Sequence, residues 1–381
     1  MKSAPATPPV EPSPSNPPAT RAAAAGIGML RTDPTTAYEL ALSELRRLLG
    51  AWHRHEPGTR RGEDPEELHQ LRVTVRRIDA TLALFKHHLP EPLVRTRATA
   101  KSLLRALGAA RDYDVQLMEL AAYCAAAPEA DRAASEPLRE RLEAEGARAH
   151  ARLLRLLDAA PTQRWIEALT EASKAEAPGG ADSALTVMPE RVRRRFRKLR
   201  KTVRRLPASA SMDEYHEVRR RAKQLRYAIE SGSAMFGKPA EDLLKALRRL
   251  QDQLGAHQDA HMASSRLAAL AGDRDNPLPP ATLFLMGRLA ERHSDLTAGV
   301  DKALSRSWRR VRGKRWKALR GRLGELSDRA RAARRAPLAV ARGEAPGAER
   351  VAAAAASEGD AATTGAPAEL ASEPQTRLMK H

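Results

Sequence analysis

The stretch His69-Gln-Leu-Arg72-Val-Thr-Val-Arg76-Arg77, followed further on by Leu107-Gly-Ala-Ala-Arg-Asp112, decides how this chain is organised, because it occurs twice. A shift of 147 positions aligns residues 69–112 with residues 216–259 without a gap, and eight of the 44 pairs are identical. The identities are charged residues, a proline and a Leu-Gly-Ala run, rather than scattered alanines. Self-similarity at a fixed period predicts one structural unit that is used twice.

Each copy of the stretch predicts an α-helix with a basic face and an apolar face. His69, Arg72 and Arg76 are spaced i, i+3 and i+7, which places them on one side of a helix. Apolar residues recur beside them at helical spacing, and the second copy repeats both stripes. Proline then closes each unit, and a second basic helix follows it. Helix is therefore the expected structure of both copies, and no segment of the chain shows a strand pattern.

Two interpretations of the basic faces are open, a solvated surface and a surface that binds an anion. Like charges at i and i+4 destabilise an isolated helix by about 0.2–0.5 kcal/mol per pair, so their repetition needs a reason. A solvated face usually interleaves acidic residues, as the segment Arg139-Glu-Arg-Leu-Glu143 does. The His-x-x-Arg helices contain almost none, and the pattern recurs. These two observations favour an anionic ligand.

At these motifs, and at His216-Glu-Val-Arg219 and Leu250-Gln-Asp-Gln-Leu254-Gly255, the chain resembles the CHAD family, the conserved histidine α-helical domain. The resemblance covers roughly residues 33–330. It implies an all-α fold of two four-helix bundles related by a pseudo-twofold axis, with basic helices lining a central groove or pore. It also implies binding of inorganic polyphosphate. One departure is Asp79, which stands where the family often has a further arginine and shortens the basic stripe of the first copy.

The candidate polyphosphate-binding residues are the cationic side chains of the repeated helices. They are His69, Arg72, Arg76, Arg77, Lys101, Arg105, His216, Arg219, Arg220, Lys223, Arg226, Lys245 and Arg248. The two histidines have two open roles. Each could become a cation against phosphate, since an unperturbed imidazole has a pKa near about 6.5, or could tether neighbouring helices by hydrogen bonds.

The positive charge of the chain belongs to its central part. The formal net charge is +19, and residues 31–335 hold 60 Lys and Arg against 40 Asp and Glu. We expect disordered tails at residues 1–32, rich in Pro and Ala, and at 336–381, rich in Ala, Gly and Glu. The domain then spans 33–335, with a first half at 33–176 and a second at 182–335. Its partner should be anionic.

Other classes of function lack their sequence signals. There is no phosphate-cradling Gly-x-x-x-x-Gly-Lys loop, no nucleophile elbow and no Glu-x-Glu-x-Lys motif of the triphosphate tunnel domain, so we expect no enzyme and no cofactor. His257 and His261 are spaced for a metal, but no third ligand is evident and we expect no metal site.

A nucleic-acid-binding basic protein is the alternative function. Aromatic residues make up only 3% of the chain, which argues against base stacking, and no helix-turn-helix or zinc-finger spacing occurs.

The cellular location is predicted from targeting and membrane features that the sequence lacks. No apolar run is long enough for a signal peptide or a membrane helix, and the single cysteine, Cys124, excludes an internal disulfide framework. Cys124 lies in an apolar helical run and is expected to be a structural thiol. The prediction is a cytoplasmic protein that does not act at a membrane and works at polyphosphate granules, with its oligomeric state left open.

Overall fold

The computed structural model describes residues 36–341, except residues 208, 276 and 298, and it describes no side chains at 296–297 and 334–341. The described residues are helical and form no sheet, as predicted. The helices are α1 (Ala37–Arg61), α2 (Pro65–Leu84), α3 (Glu91–Arg95), α4 (Arg97–Ala125), α5 (Glu129–Asp158), α6 (Ala160–Lys174), α7 (Ala184–Arg204), α8 (Met212–Ser231), α9 (Ser233–Phe236), α10 (Lys238–Ala271), α11 (Pro280–Thr297), α12 (Val300–Arg310) and α13 (Trp316–Ala341).

Side-chain caps fix where the principal helices begin. Thr36 and Glu39 form a capping box at the start of α1, and Ser211 and Glu214 form another at the start of α8. At α2 the carboxylate of Asp64 accepts from the backbone N–H of Glu66, and Pro65 occupies the first turn. Both His-x-x-Arg helices therefore start at defined positions, which sets the direction of their basic side chains.

The two halves repeat the same helix contacts. In the first half α1 packs on α2, α2 on α4 and α4 on α5; in the second half α7 packs on α8, α8 on α10 and α10 on α11. One difference is that the first half breaks its long helix into α3 and α4, whereas α10 runs without interruption. A single buried core extends through both halves, from Ala37 to Leu326. The described residues up to Ala330 accordingly form one compact unit.

Several contacts join equivalent segments of the two halves. The N-cap residues Thr36 and Ser183 form an isolated antiparallel bridge, and the backbone N–H of Ala37 donates to the carbonyl of Asp182 at 2.8 Å. Helix α1 also contacts α7, α2 contacts α8, and α5 contacts α11. Contacts of this kind are what a twofold relation between the halves would produce. The pseudo-twofold axis itself stays a prediction.

A second, smaller apolar cluster extends the repeat beyond Asp112. It lies where α4 and α5 meet α10 and α11, and six of its seven buried residues are counterparts at the same offset of 147. The pairs are Leu120 with Leu267, Leu138 with Leu285, and Leu142 with Leu289. Burial of a leucine side chain contributes about 1.5–3 kcal/mol. This cluster therefore joins the halves at a place remote from the contact between α2 and α8.

The segment after α11 differs from the first half in its path. A short π-helical segment, Val311–Arg315, links α12 to α13, and Gly313 leaves the helical conformation there with φ −84° and ψ −135°. Trp308 is buried, and Phe196 of α7 stacks on both Trp308 and Trp316, with a ring-centroid distance of 3.6 Å to Trp316. Both tryptophans thus pack against α7, Trp308 buried and Trp316 half-buried.

The predicted boundaries fall close to the ends of the helices. The predicted linker between the halves, 177–181, lies between α6 and α7. Helix α13 passes the predicted boundary at 335 and ends at Ala341, while the predicted tail at 1–32 and residues 342–381 lie outside the described residues. Cys124 is half-buried, with Sγ 3.1 Å from Oγ of Ser135. Within the described part of the chain, no helix combines the length and the apolar character needed to cross a membrane.

Candidate functional site

Four of the predicted cations meet where α2 contacts α8, and we call them the central cluster: Arg72, Arg76, Arg219 and Lys223. They form two counterpart pairs, Arg72 with Arg219 and Arg76 with Lys223, so each half contributes equally. All four are half-buried. The i, i+4 spacing on each helix aligns them on the side that faces the other half. Cations of both halves therefore lie together in this cluster, and their role in binding stays a prediction.

The electrostatic field in the central cluster is strongly positive. Burial, together with the neighbouring charges of Arg76, Arg219, Arg72 and Arg226, lowers the pKa of Lys223 to about 6. The four largest neighbouring charges that act on this pKa are all positive. Burial likewise lowers the pKa of Arg72 to about 10, with Arg76 as the largest neighbouring charge. Cations held together in partial burial raise the free energy of the empty site, and an anion would relieve this repulsion.

Two glycines of the repeated motif make room for the two arginines. A Cβ atom on Gly255 would lie 2.9 Å from Nη2 of Arg219, which is closer than a van der Waals contact. A Cβ atom on Gly108 would lie 3.7 Å from Nε of Arg72, an ordinary contact distance. The guanidinium groups thus lie directly against the helices α4 and α10. The sequence contained the signal, a Leu-Gly pair in both copies, without revealing that the partner is the arginine.

The two aspartates that end the repeated motif act as counterions of the arginines. Nη1 of Arg219 lies 4.0 Å from Oδ1 of Asp259 and donates to Oε1 of Gln258 at 2.7 Å. Asp112 interacts electrostatically with Arg72, and its Oδ2 lies 3.6 Å from Nη2 of Arg266. Burial raises the pKa of Asp112 despite these neighbours. Their identity in the two copies was the sequence signal for this role.

Several guanidinium groups keep a donor without an acceptor. The Nε atoms of Arg72, Arg219 and Arg226 are buried and have no hydrogen-bond partner among the described residues. An unsatisfied buried donor costs about 1–3 kcal/mol, and more when it carries charge. Three such donors around the central cluster indicate a place for an acceptor with many oxygen atoms. Arg76 and Lys223 in addition have no carboxylate within ion-pair distance among the described residues.

Three of the other predicted residues converge on one carboxylate that the sequence analysis left unassigned. Glu230 lies 3.4 Å from Nη2 of Arg77, 3.7 Å from Nε of Arg226 and 3.5 Å from Nη2 of Arg248. Burial raises the pKa of Asp252, and the neighbouring charges of Arg226, Arg219 and Arg248 oppose this shift. These arginines belong to the basic surface but are partly neutralised by carboxylates of the second half.

The remaining predicted cations lie further out. Lys101, Arg105, Lys245 and Arg248 are exposed on α4 and α10, and Arg220 is exposed and paired with Glu217 of its own helix. Arg220 follows Arg219 by about 100° around α8. It therefore lies on the solvated side of this helix, away from the central cluster.

The two histidines differ in exposure. His216 is exposed and His69 is half-buried. Burial lowers the pKa of His69; Glu66 opposes the shift, and the cations of Arg111, Arg72 and Arg76 reinforce it. Neither ring forms a hydrogen bond to another helix within the described residues, so the tethering role finds no support there.

The shortened stripe of the first half has a defined structural consequence. Asp79, the counterpart of Arg226, accepts from Nε of Arg97 at 2.8 Å. The substitution therefore removes one cation from the α2 stripe and engages a second one from α4. The cationic stripe of α2 is thus shorter than that of α8, and what this means for binding stays a prediction.

The part of the chain that the structure describes contains no cluster of metal ligands. No group of three or more His, Cys, Asp or Glu side chains there has the geometry to hold a metal ion. His257 is buried and packs edge-on against Tyr215 with a centroid distance of 5.2 Å, which is a structural position rather than a ligand position.

Comparison with known proteins agrees with this architecture. The CHAD domain profile matches residues 43–268. The CHAD domain of the plant Ricinus communis is similar in structure, with 25% identity, a TM-score of 0.59, and coverage of 74% of this chain and 96% of that one. PptA from Streptomyces chartreusis shares the fold at 20% identity and a TM-score of 0.57, over 73% of this chain and 100% of its own. No curated protein sequence matches the chain. The chain belongs to the CHAD domain family.

Proposed function

We propose that this protein binds inorganic polyphosphate at the central cluster. The observation that carries the proposal is the meeting of Arg72, Arg76, Arg219 and Lys223 between the halves, where the four largest charges that act on Lys223 are all positive. Each internal phosphate of the polymer carries about one negative charge and presents oxygen atoms on all sides. Guanidinium and ammonium groups are the donors that phosphate oxygens prefer.

The ligand is inferred to be a long chain rather than a single phosphate. The central cluster continues into the exposed cations of α4 and α10, Lys101, Arg105, Lys245 and Arg248, which lie on both halves. A flexible polymer can engage the centre and these outer positions together. Pyrophosphate would satisfy only a few of the donors and should compete poorly.

Nucleic acid is the less favoured ligand. Duplex DNA has a persistence length of about 50 nm, so it would not follow a path between two helices that contact each other. Aromatic side chains, on which single strands stack, make up only 3% of the chain. We therefore expect polyphosphate to outcompete DNA at equal phosphate concentration.

The proposal includes binding without cleavage, in the cytoplasm and at granules where polyphosphate accumulates. Among the described residues, no group of three or more His, Cys, Asp or Glu side chains could hold a metal ion. The basic side chains of the cluster would hold phosphate groups but would not activate a nucleophile against them.

The test is calorimetric titration of long polyphosphate into the full chain and into Arg76→Gln/Lys223→Gln at fixed ionic strength. This variant removes one cation from each half and breaks no ion pair. Hydrogen bonds to charged groups contribute about 1.5–3 kcal/mol each, so affinity should fall on the order of 100-fold. Thermal stability should stay the same or rise, since repulsion between cations is relieved.

A matched control is Arg197→Gln/Lys201→Gln on α7. It removes one exposed arginine and one exposed lysine, as far as the described residues show without carboxylate partners, and changes the net charge equally. The control should lose less than about threefold in affinity. Equal losses in both variants would show that only the net charge matters, and the central cluster would then not be the site. Release of free phosphate during the titration would contradict binding without cleavage.

A further inference from the structure

A second group of basic side chains lies on α7, apart from the central cluster. Its members are Lys86 and His87, in the turn after α2, and Arg191, Arg194, Arg195 and Lys198 of α7, and we call them the α7 patch. Lys86, His87, Arg194 and Lys198 are exposed, whereas Arg191 and Arg195 are half-buried. The patch thus has a partly buried base and an exposed rim of basic side chains.

Hydrogen bonds hold the base of the α7 patch in place. Nη1 of Arg195 donates to the backbone carbonyl of Gln224 on α8 at 2.7 Å. Nη2 of Arg191 lies 3.4 Å from Nε2 of His88, in the turn that also carries Lys86 and His87. Helix α7, helix α8 and the turn after α2 are therefore joined at this point. The cations of the rim are arranged around a fixed base.

The charges in the α7 patch repel one another without compensation. Burial lowers the pKa of Arg195 to about 10, and the neighbouring charges that act on it are the cations of Arg191, Arg194, Arg221 and Arg97. Burial and neighbouring cations alone also lower the pKa of Lys198. The pKa of His87 is lowered first by desolvation and then by Lys86, Arg191 and Arg194. A positive field of this kind attracts anions.

The carboxylates around the α7 patch are engaged by other groups. Asp79 accepts from Arg97 at 2.8 Å, Asp182 lies 3.6 Å from Nδ1 of His88, and Glu217 accepts from Arg221 at 2.7 Å. Among the described residues, no carboxylate lies within ion-pair distance of a member of the patch. The exposed cations of the patch, Lys86, Arg194 and Lys198, are therefore available to an external anion.

The α7 patch is not a continuation of the central cluster. Arg221, which faces the patch, follows Arg219 by two residues and so lies about 200° further around α8. The patch is not repeated at the offset of 147. The counterparts of Arg191, Arg195 and Lys198 are Glu44, Leu48 and Ala51, and among the patch members on α7 only Arg194 has a basic counterpart, Arg47. The patch therefore lies on another face of the molecule and combines residues of both halves.

We propose that the α7 patch is a second phosphate-binding site, at which a further stretch of polyphosphate is held. The identity of the ligand rests on the proposed function, whereas the site rests on the six uncompensated side chains. The exposed ammonium groups of Lys86 and Lys198 and the guanidinium group of Arg194 would contact phosphate oxygens directly. The half-buried Arg195 would contribute charge from beneath.

The test uses inorganic tripolyphosphate as the probe and the full chain with Arg76→Gln/Lys223→Gln as the background. In this background we expect residual binding of tripolyphosphate. Adding Arg194→Gln/Lys198→Gln should weaken it at least about tenfold. Adding Arg197→Gln/Lys201→Gln, an Arg and a Lys at the same i, i+4 spacing on the same helix, should change it less than about twofold. Circular dichroism of each variant confirms that the helices are retained.

A direct reading comes from the imidazole NMR signals of the background protein. Addition of tripolyphosphate should shift the His87 signal, and Arg194→Gln/Lys198→Gln should abolish the shift. Equal losses for the two α7 pairs, or no residual binding in the background, would overturn the second site. If the background variant instead binds as tightly as the unaltered chain, the central cluster is not the principal site, and the α7 pair alone reports on the second site.

Discussion

The two halves of the domain agree at the centre and differ around it. Arg72 and Arg219, Gly108 and Gly255, and Asp112 and Asp259 are the same residues in equivalent surroundings. One step outward the counterparts carry different charges. Asp79 corresponds to Arg226, Arg105 to Asp252, and Glu119 to Arg266. The centre of the candidate site therefore contains the same charged residues from both halves. Around it, the counterpart residues differ in charge between the halves.

The largest loss of polyphosphate affinity is expected when two cations of one half are removed, and it should be similar for either half. Arg72→Gln/Arg76→Gln and Arg219→Gln/Lys223→Gln should each lower polyphosphate affinity on the order of 100-fold, since each removes two charge-assisted contacts. The two losses should agree within about threefold. Titration calorimetry on both variants, with helicity checked by circular dichroism, measures this. A large loss from one half and full affinity in the other would break the comparison.

We expect the affinity for polyphosphate to depend on pH. This dependence should come from Lys223 of the second half rather than from its counterpart Arg76. The pKa of Lys223 is lowered to about 6 by burial and neighbouring cations, and a bound polyanion would raise it. Binding then takes up a proton, so affinity should fall as pH rises above 6, by up to about tenfold per pH unit. Below 6 the lysine is already charged and the dependence should level off.

The variant Lys223→Arg isolates this effect. A guanidinium group stays charged through the same range, so the affinity of the variant should vary far less between pH 6 and 8. His69, which lies beside Arg72 and Arg76, is unchanged in this variant, and any dependence that persists is assigned to it or to other groups. Identical pH profiles for the variant and the unaltered chain would exclude Lys223 as the titrating group.

The two motif glycines predict a smaller difference between the halves. A methyl group fits beside Arg72 at Gly108 but meets Nη2 of Arg219 at 2.9 Å at Gly255. Gly255→Ala should therefore displace the guanidinium group and weaken polyphosphate binding several-fold. Gly108→Ala should leave the affinity within about twofold and raise stability by about 0.5–1 kcal/mol, the usual gain of alanine within a helix. Calorimetry and thermal melting of both variants test the contrast.

A substitution at the periphery of the candidate site should change polyphosphate affinity least, and should raise it rather than lower it. Glu230, which has Ala83 as its counterpart, lies near Arg77, Arg226 and Arg248. Glu230→Gln should release these guanidinium groups and raise affinity about two- to fivefold, with a steeper dependence on salt, because more phosphates are neutralised. Unchanged affinity and salt slope would show that these arginines do not take part in binding.

The sequence predicted what depends on spacing along one helix. The i, i+3 and i+7 pattern at His69, Arg72 and Arg76, together with its recurrence, was sufficient for the helices and for the cationic stripe that each of them carries. It did not predict what depends on residues that meet across the halves. Glu230 lies one turn beyond Arg226 on the same basic stripe, yet its contact with Arg77 exists only once α2 and α8 pack together.

Arg220 shows a second limit of the sequence argument. It adjoins Arg219 in the chain and was assigned to the site, but adjacent residues on a helix lie about 100° apart and therefore face different surroundings. The pairing of Leu120, Leu138 and Leu142 with their counterparts was overlooked because leucine is abundant in such a chain. Only their burial in one cluster distinguishes them from other leucines.

That apolar cluster has a consequence for the assembly of the protein. Half of its leucines come from one repeat and half from the other at equivalent positions, so the surface is self-complementary. A repeat that recognises its own duplicate within the chain can recognise the same surface in another molecule. A chain that opened between the halves would expose this surface, and two opened chains could exchange halves to form a dimer with the same contacts.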